Sequence, residues 1–143
     1  MVNQTRIQFM KTGLSIIILL LNSGFTNQTE VSDKYCLIIF EGSDWCANCI
    51  RLEKNILNDT AFIQYLNHET IKLIRIDFPQ RKKISNEQKL SNEQTARKYN
   101  FEGVFPTIVI SRSDTLFFDK IYYQNQSVEE IKAVLHYKLQ ILL

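Results

Sequence analysis

The chain has 143 residues and a formal net charge of +2, and hydrophobic residues make up 45% of it. Its apolar residues are spread evenly after position 34, which predicts a single domain. The nearly neutral charge gives no support for nucleic acid or an anionic membrane surface as a partner. Three cysteines are too few for a disulfide scaffold, which points to one functional pair and one further thiol.

The first 24 residues have the composition of a secretory signal peptide. Arg6 and Lys11 precede an apolar run at 14–21, and polar or small residues follow at 22–24. The run is shorter than the ~20 residues that span a bilayer. We therefore predict a signal peptide at 1–24, with an uncleaved anchor as the alternative and the one case in which the protein would contact a membrane.

Cleavage is expected near Ser23 or Gly24, followed by a polar linker at 25–33 and a folded domain at 34–143. Removal of the signal peptide would leave a formally neutral domain, because all acidic residues lie beyond position 25. The predicted localisation is periplasmic or otherwise exported, where disulfides persist.

The first strand is predicted at 35–40, an apolar run rich in β-formers. Cys36 lies within it and is interpreted as a small core residue. A helix is predicted from about 46 to 57. Cys46 and Cys49 therefore lie where a buried strand is followed by the start of a helix.

Further elements are predicted in chain order: a short helix capped by Asp59 or Thr60, a strand at 71–78, a helix from Ser85 to about Tyr99, strands at 105–110 and 116–122, and a helix from Ser127. The last two strands should form a β-hairpin. The helix after Ser85 has a thin apolar stripe (Leu90, Ala96 and Tyr99), which predicts a surface position. The order predicts an α/β domain.

The position of Cys46 at a helix start has a chemical consequence. The first N–H groups of a helix lack intrahelical partners and carry the positive end of its dipole. They are expected to lower the pKa of the Cys46 thiol below the ~8.5 of a free cysteine. Because the thiolate is the form that attacks a disulfide, Cys46 is the predicted nucleophile, and Cys49, one turn further on, would resolve the mixed disulfide.

The cysteine pair has two other interpretations, a metal site and a structural disulfide. Zinc needs about four ligands, and the rest of the chain offers only Cys36, His68 and His136, which lack a paired ligand spacing. The strand–C-x-x-C–helix context favours redox chemistry over metal binding. A permanently closed structural disulfide remains open as an alternative.

Two motifs together resemble the thioredoxin superfamily: Trp45–Cys49 after a strand, and Gly103–Thr107 later in the chain. With Gly42–Cys46 and Asp77–Pro79, the match is similar to exported bacterial thioredoxin-like proteins of the disulfide-reductase and interchange type. The resemblance covers about residues 34–142. It implies a thioredoxin fold, with a central mixed β-sheet flanked by helices and a C-terminal β-hairpin and helix.

The resemblance also implies site roles. Cys46 and Cys49 would be catalytic, and Pro106 would be a cis-proline facing the dithiol. The backbone of Phe105 would pair with an extended substrate segment near the reactive sulfur. Trp45 has two interpretations: it could be a core aromatic, but its position directly before the predicted nucleophile favours a residue that shields the dithiol and offers an apolar contact surface.

This chain departs from the family pattern at two places. Many thioredoxins carry a buried acid six residues before the first cysteine, whereas Phe40 occupies that position here. Glu41 is expected to point to the opposite face of the strand, so the proton from Cys49 would go to water, Glu41 or another group. The dipeptide Ala47–Asn48 replaces the Gly-Pro of thioredoxin, which leaves the direction of electron flow open.

The predicted function is an exported thiol–disulfide oxidoreductase that reduces or exchanges protein disulfides through its dithiol. Its predicted partners are protein thiols and disulfides and an unidentified redox partner, and it is expected to be a monomer without cofactor or metal. One alternative is a non-catalytic binding module that uses the Trp45 and Phe105 surface around a structural disulfide. Another is metal delivery through Cys46 and Cys49.

Overall fold

A computed structural model describes residues 33–114 and 117–142. The predicted signal peptide at 1–24, and all but the last residue of the predicted linker at 25–33, lie outside the described residues. The strands are β1 (Tyr35–Glu41), β2 (Ile71–Asp77), β3 (Thr107–Arg112) and β4 (Phe118–Tyr122). The helices are α1 (Ala47–Leu52), continued by a π-helical turn (Glu53–Leu57), α2 (Thr60–His68), α3 (Asn86–Lys98) and α4 (Val128–Ile141).

The four strands form one mixed sheet in the order β2-β1-β3-β4. β1 is parallel to β2 and antiparallel to β3, and β4 is antiparallel to β3. In this register Glu41 lies beside Asp77, and Phe40 lies beside Thr107. The loop after β1, the loop after β2 and the loop before β3 therefore meet at one edge of the sheet.

Both faces of the sheet are covered, which explains why β1 reads as an unbroken apolar run. Leu37 and Ile39 face a core that includes Leu135 of α4 and residues of α1 and α2. Ile38 and Phe40 face a smaller cluster that contains Tyr99, the C-cap residue that follows α3. This arrangement confirms the predicted α/β class, the central mixed sheet flanked by helices, and the C-terminal hairpin and helix.

The helix starts follow the capping residues in the sequence. Asp59 accepts a hydrogen bond from the Phe62 N–H at 3.0 Å and caps α2. Ser85 caps α3, and Ser127 forms a reciprocal capping box with Glu130 at the start of α4. Caps of this kind satisfy N–H groups that the helix leaves without partners.

Several details differ from the sequence predictions. Cys46 is the N-cap of α1 rather than its first helical residue, and the helix changes to π-helical geometry at Glu53. β3 begins at Thr107, two residues later than predicted. In α3, Leu90 is exposed, and Asn92 is the buried side chain.

Within the described residues, no helix combines the length and apolar character that crossing a membrane requires.

Candidate functional site

The two cysteines of the C-x-x-C motif form a disulfide at the start of α1, with their Cα atoms 5.2 Å apart. The Sγ of Cys46 accepts a hydrogen bond from the Cys49 N–H at 3.2 Å, so it occupies the position of a capping side chain. The Sγ of Cys49 lies 3.5 Å from the Gly42 nitrogen, which donates to it. Cys46 is 7% exposed and Cys49 only 1%, so Cys46 is the more accessible of the two cysteines.

The turn between β1 and the dithiol is compact because Gly42 lacks a side chain. Its carbonyl accepts hydrogen bonds from the backbone N–H groups of Trp45 and Cys46, at 3.3 and 2.9 Å. A Cβ at position 42 would overlap the indole of Trp45. The indole therefore lies directly against the backbone of this turn, and its Nε1–H donates to the Phe78 carbonyl at 2.8 Å.

Ser43 and Asp44 fix the same turn to the loop that follows β2. The backbone N–H and the hydroxyl of Ser43 donate to the Asp77 carboxylate at 2.8 and 2.6 Å. The Asp44 carboxylate accepts three backbone N–H hydrogen bonds, at 3.0, 2.8 and 2.8 Å, from Gln80, Arg81 and Lys82. Both carboxylates thus join two loops that are more than thirty residues apart in the chain.

The ionisation of Asp44 reflects these contacts. Partial burial raises the pKa of the Asp44 carboxyl, but the backbone N–H donors of Gln80, Lys82 and Arg81 outweigh that effect. The net result is a pKa below the ordinary value of 3.8. Asp44 is therefore ionised at neutral pH and holds the loop as a carboxylate.

The loop before β3 contributes Phe105 and Pro106, joined by a cis peptide bond. Pro106 is buried and Phe105 is half-buried. The Phe105 ring contacts Trp45 edge-on at 5.2 Å between centroids, and it contacts Phe78 and Phe101 at 5.8 and 5.0 Å. The structure thus places the Phe105 ring against Trp45, the residue directly before Cys46.

An ion pair between a buried carboxylate and a partly exposed arginine lies next to the turn. Glu41 is only 2% exposed, and both of its carboxylate oxygens accept hydrogen bonds from Arg75, at 2.6 and 2.9 Å. Arg75 also donates to Glu53 at 3.2 Å. The hydrogen bond with Glu41, followed by that with Glu53, raises the pKa of Arg75 above its usual range despite partial burial. Glu41 and Phe40 lie on opposite faces of β1, as the alternation predicts.

Cys36 is not part of the site. It is free and half-buried, and its Sγ lies 3.5 Å from the Ser113 hydroxyl. Cys36 and Glu41 are five positions apart in β1, which is about 16 Å along a strand. In the described part of the chain, no three His, Cys, Asp or Glu side chains cluster as metal ligands would.

Sequence reasoning missed the carboxylates that organise the site. Asp44 and Asp77 lie within the motifs that carry the resemblance, but the sequence assigned no role to their carboxylates, which join the two loops through the sheet register. Asn92 was also missed; its amide donates to the Asp77 carbonyl at 2.6 Å from within α3. A polar residue on the buried side of a helix was the available signal, because such residues are buried when they are hydrogen-bonded.

Residues 26–138 match the family described as a thioredoxin-like domain. The chain belongs to the thioredoxin-like family. This match takes in β1, the dithiol turn, the Phe105–Pro106 loop and most of α4, so it covers every feature of the site. The family assignment therefore agrees with the fold and with the placement of the C-x-x-C pair.

A curated relative shares part of its sequence with this chain. This thioredoxin-like chain is 32% identical over 72 residues to the disulfide bond reductase DsbH of Chlamydia pneumoniae, a match that covers 50% of the chain and 42% of that relative. The chain thus spans less than half the length of that curated protein.

Solved structures give the same fold. A structure titled DsbH Oxidoreductase aligns with a TM-score of 0.62 at 25% identity, covering 73% of this chain and 74% of that one. A thioredoxin from Thermus thermophilus aligns with a TM-score of 0.50 at 16% identity, covering 74% of each chain. The second likeness, at that identity, concerns the fold alone.

Proposed function

We propose that this protein is a thiol–disulfide oxidoreductase that reduces disulfide bonds in other proteins. The observation that carries the proposal is the Cys46–Cys49 pair at the start of α1, where the Cys46 sulfur accepts a hydrogen bond from the Cys49 N–H. The same N–H would stabilise a thiolate on Cys46 after the bridge opens. The reductive direction is supported by the relative named as a disulfide bond reductase.

The proposed reaction proceeds through a mixed disulfide. In the reduced protein, the Cys46 thiolate attacks one sulfur of the substrate disulfide. The substrate S–S bond breaks, and its other sulfur leaves as a thiolate that takes up a proton. Cys49, once deprotonated, attacks the Cys46 sulfur and releases the second substrate thiol. The substrate gains two electrons, and the protein is left with the Cys46–Cys49 bridge, which a thiol-bearing redox partner must reduce.

The neighbouring residues suit the capture of a substrate chain. Trp45 is held between the turn and Phe105 by its ring contact and its hydrogen bond to Phe78. We assign Trp45, Phe105 and Pro106 to substrate binding beside the Cys46 sulfur. An aromatic residue at the centre of an interface is a common anchor for a partner chain.

Export belongs to the same proposal. The basic and apolar pattern at 1–24 is that of a signal peptide. A disulfide reductase in an oxidising compartment needs a continuous supply of electrons, because disulfides re-form there. The proposed redox partner would supply them outside the cytoplasm.

The test replaces each cysteine with serine and measures reduction of insulin, a convenient protein disulfide, under an excess of dithiothreitol. Cys46→Ser should lower turnover at least about 100-fold, because the nucleophile is lost. Pre-reduced Cys49→Ser, freed of dithiothreitol before it is mixed with insulin, should accumulate a mixed disulfide on Cys46, visible by intact mass spectrometry. Cys36→Ser is the matched control and should retain the wild-type rate, since Cys36 lies away from the turn.

Two outcomes would refute the assignment. Full turnover by the Cys46→Ser variant would show that another group does the chemistry. A wild-type protein without reductase activity, whose bridge stays closed in reducing buffers, would instead indicate a structural disulfide in a binding module.

A further inference from the structure

Beside the dithiol turn, the loop after β2 and the first turn of α3 enclose a surface groove of about 440 Å³. Three lysines line it: Lys82, Lys83 and Lys89. Its other lining residues are Phe78, Pro79, Gln80 and Ile84. We call this feature the lysine groove. It combines a partly apolar floor with three exposed ammonium groups.

The lysine groove is directly connected to the candidate active site. Phe78, which lines it, accepts the Trp45 indole hydrogen bond at 2.8 Å and packs on Phe105. The ammonium group of Lys82 lies 3.4 Å from the hydroxyl of Ser43, in the turn that precedes Cys46. A chain that contacts Trp45 and continues past Phe78 would therefore enter the groove.

The positive charge of the groove is not neutralised by ion pairs. None of the ion pairs among residues 33–114 and 117–142 involves Lys82, Lys83 or Lys89. Other lysines of the protein do have carboxylate partners: Lys120, Lys132 and Lys138. The groove is thus a local cationic site on a domain that is close to neutral overall.

The carboxylates near this loop already have other hydrogen-bond donors. Asp44 accepts three backbone N–H groups of the loop, and Asp77 accepts two hydrogen bonds from Ser43. Glu87, in the first turn of α3, is hydrogen-bonded to Ser85. The same contacts hold the loop backbone in place, which lowers the entropic cost of binding a ligand there.

We propose that the lysine groove binds an acidic segment of the substrate polypeptide, close in sequence to the cysteine that Cys46 attacks. This inference rests on the proposed function and adds a substrate class to it. Asp and Glu side chains complement the three ammonium groups, and the floor formed by Phe78, Pro79 and Ile84 accepts the apolar parts of a peptide. Charges at the rim of an interface mainly raise the association rate and set specificity.

The experiment compares two peptides that contain the same disulfide and differ only in a flanking Glu-Glu or Gln-Gln pair. The rate at which the pre-reduced protein reduces each peptide is measured by stopped flow at low and high ionic strength. Wild type should reduce the acidic peptide about fivefold faster at low salt, and the ratio should approach one at ~1 M salt, where charges are screened beyond ~3 Å.

The variant Lys83→Glu/Lys89→Glu should lose or invert this preference while reducing the neutral peptide at the wild-type rate. Lys82 is left intact because it contacts Ser43 in the dithiol turn. The matched control is Lys72→Glu/Lys98→Glu, which makes the same change in net charge. Lys72 lies near the start of β2, and Lys98 ends α3, so both are distant from the groove.

The outcomes separate the groove from the chemistry. Equal rates for the two peptides with wild type, or the same loss of preference in both double variants, would overturn the groove while leaving the reductase assignment intact. Failure of wild type to reduce even the neutral peptide would overturn the proposed function, and the groove proposal with it. If Lys83→Glu/Lys89→Glu loses the preference for the acidic peptide and the control variant keeps it, the result supports binding of acidic segments in the lysine groove.

Discussion

At the scale of single residues, Gly42 determines where the Trp45 indole lies. A Cβ at position 42 would overlap Cε2 and Nε1 of the indole and approach its Cζ2 to 2.7 Å. A rigid ring cannot yield as the end of a flexible side chain would. Its present place also supports the hydrogen bond to Phe78 and the ring contact with Phe105.

Gly42→Ala should therefore displace the indole, lower the free energy of unfolding by about 1–3 kcal/mol and slow disulfide exchange several-fold. Tryptophan emission reports the displacement directly, since Trp45 is the single tryptophan of the chain. Gly103→Ala is the control: Gly103 has φ of +80°, and nothing lies within 4 Å of its Cβ position. It should cost about 1–2 kcal/mol of backbone strain and leave the emission spectrum unchanged. An unshifted spectrum in Gly42→Ala would contradict this account.

At the scale of elements, local patterns predicted most of the fold. The apolar run of β1, the caps Asp59, Ser85 and Ser127, and the β-hairpin depend on residues close in sequence, and the structure contains them. The contacts that organise the site were not predictable in this way. Asp44 meets the loop after β2 only because β1 and β2 pair in parallel with Glu41 beside Asp77. No spacing within the sequence records that register.

The π-helical turn after α1 was likewise not predicted. The sequence from Cys49 to Leu57 has roughly helical spacing, and that spacing does not distinguish α from π geometry. In the structure, the wider turn carries Glu53, whose carboxylate contacts Arg75. Arg75 in turn holds Glu41, so this local irregularity coincides with a charge cluster beside the site. Irregular turns of this kind often occur at functional sites.

The contact between the dithiol turn and the loop after β2 should depend on pH through Asp44. Its pKa is below 3.8 in the folded protein, so the full contribution of its carboxylate to the free energy of unfolding is present above about pH 5. That contribution is lost as the pH falls through the lower, folded-state pKa. The direction follows from linkage, because the unfolded chain binds the proton more readily than the folded one does.

Asp44→Asn should therefore reduce stability at neutral pH, and the difference from wild type should stay constant from pH 7 to 5 and shrink below about pH 4. Urea midpoints measured along this pH series test it, and the difference cancels other groups that titrate in both proteins. Asp33→Asn, at the exposed start of the described chain, controls for the loss of one charge. If the stability difference between wild type and Asp44→Asn persisted unchanged to pH 3, the carboxylate would be ruled out as its cause.

At the scale of the whole molecule, the two cores on either face of the sheet have different relations to the site. The larger core contains Leu135 of α4, which is fully buried. The smaller cluster contains Phe40, whose ring stacks on Phe101 at 4.5 Å between centroids. Phe101 also contacts Phe105 and Phe78, the two rings next to Trp45. The smaller cluster thus connects the sheet to Trp45 and Phe105, the proposed substrate-binding surface.

Two substitutions separate stability from site geometry. Leu135→Ala should cost about 2–5 kcal/mol of unfolding free energy and leave the exchange rate of the folded protein nearly unchanged. Phe101→Ala should cost about 2 kcal/mol of unfolding free energy, less than the same substitution at a fully buried phenylalanine. It should nevertheless slow disulfide exchange, because Phe105 and Phe78 lose the ring that positions them. Both are measured by urea unfolding and by peptide-disulfide reduction at a temperature where each variant is folded. If the exchange rate instead followed stability alone, Leu135→Ala would be the slower variant, and the smaller cluster would have no special role in positioning the site.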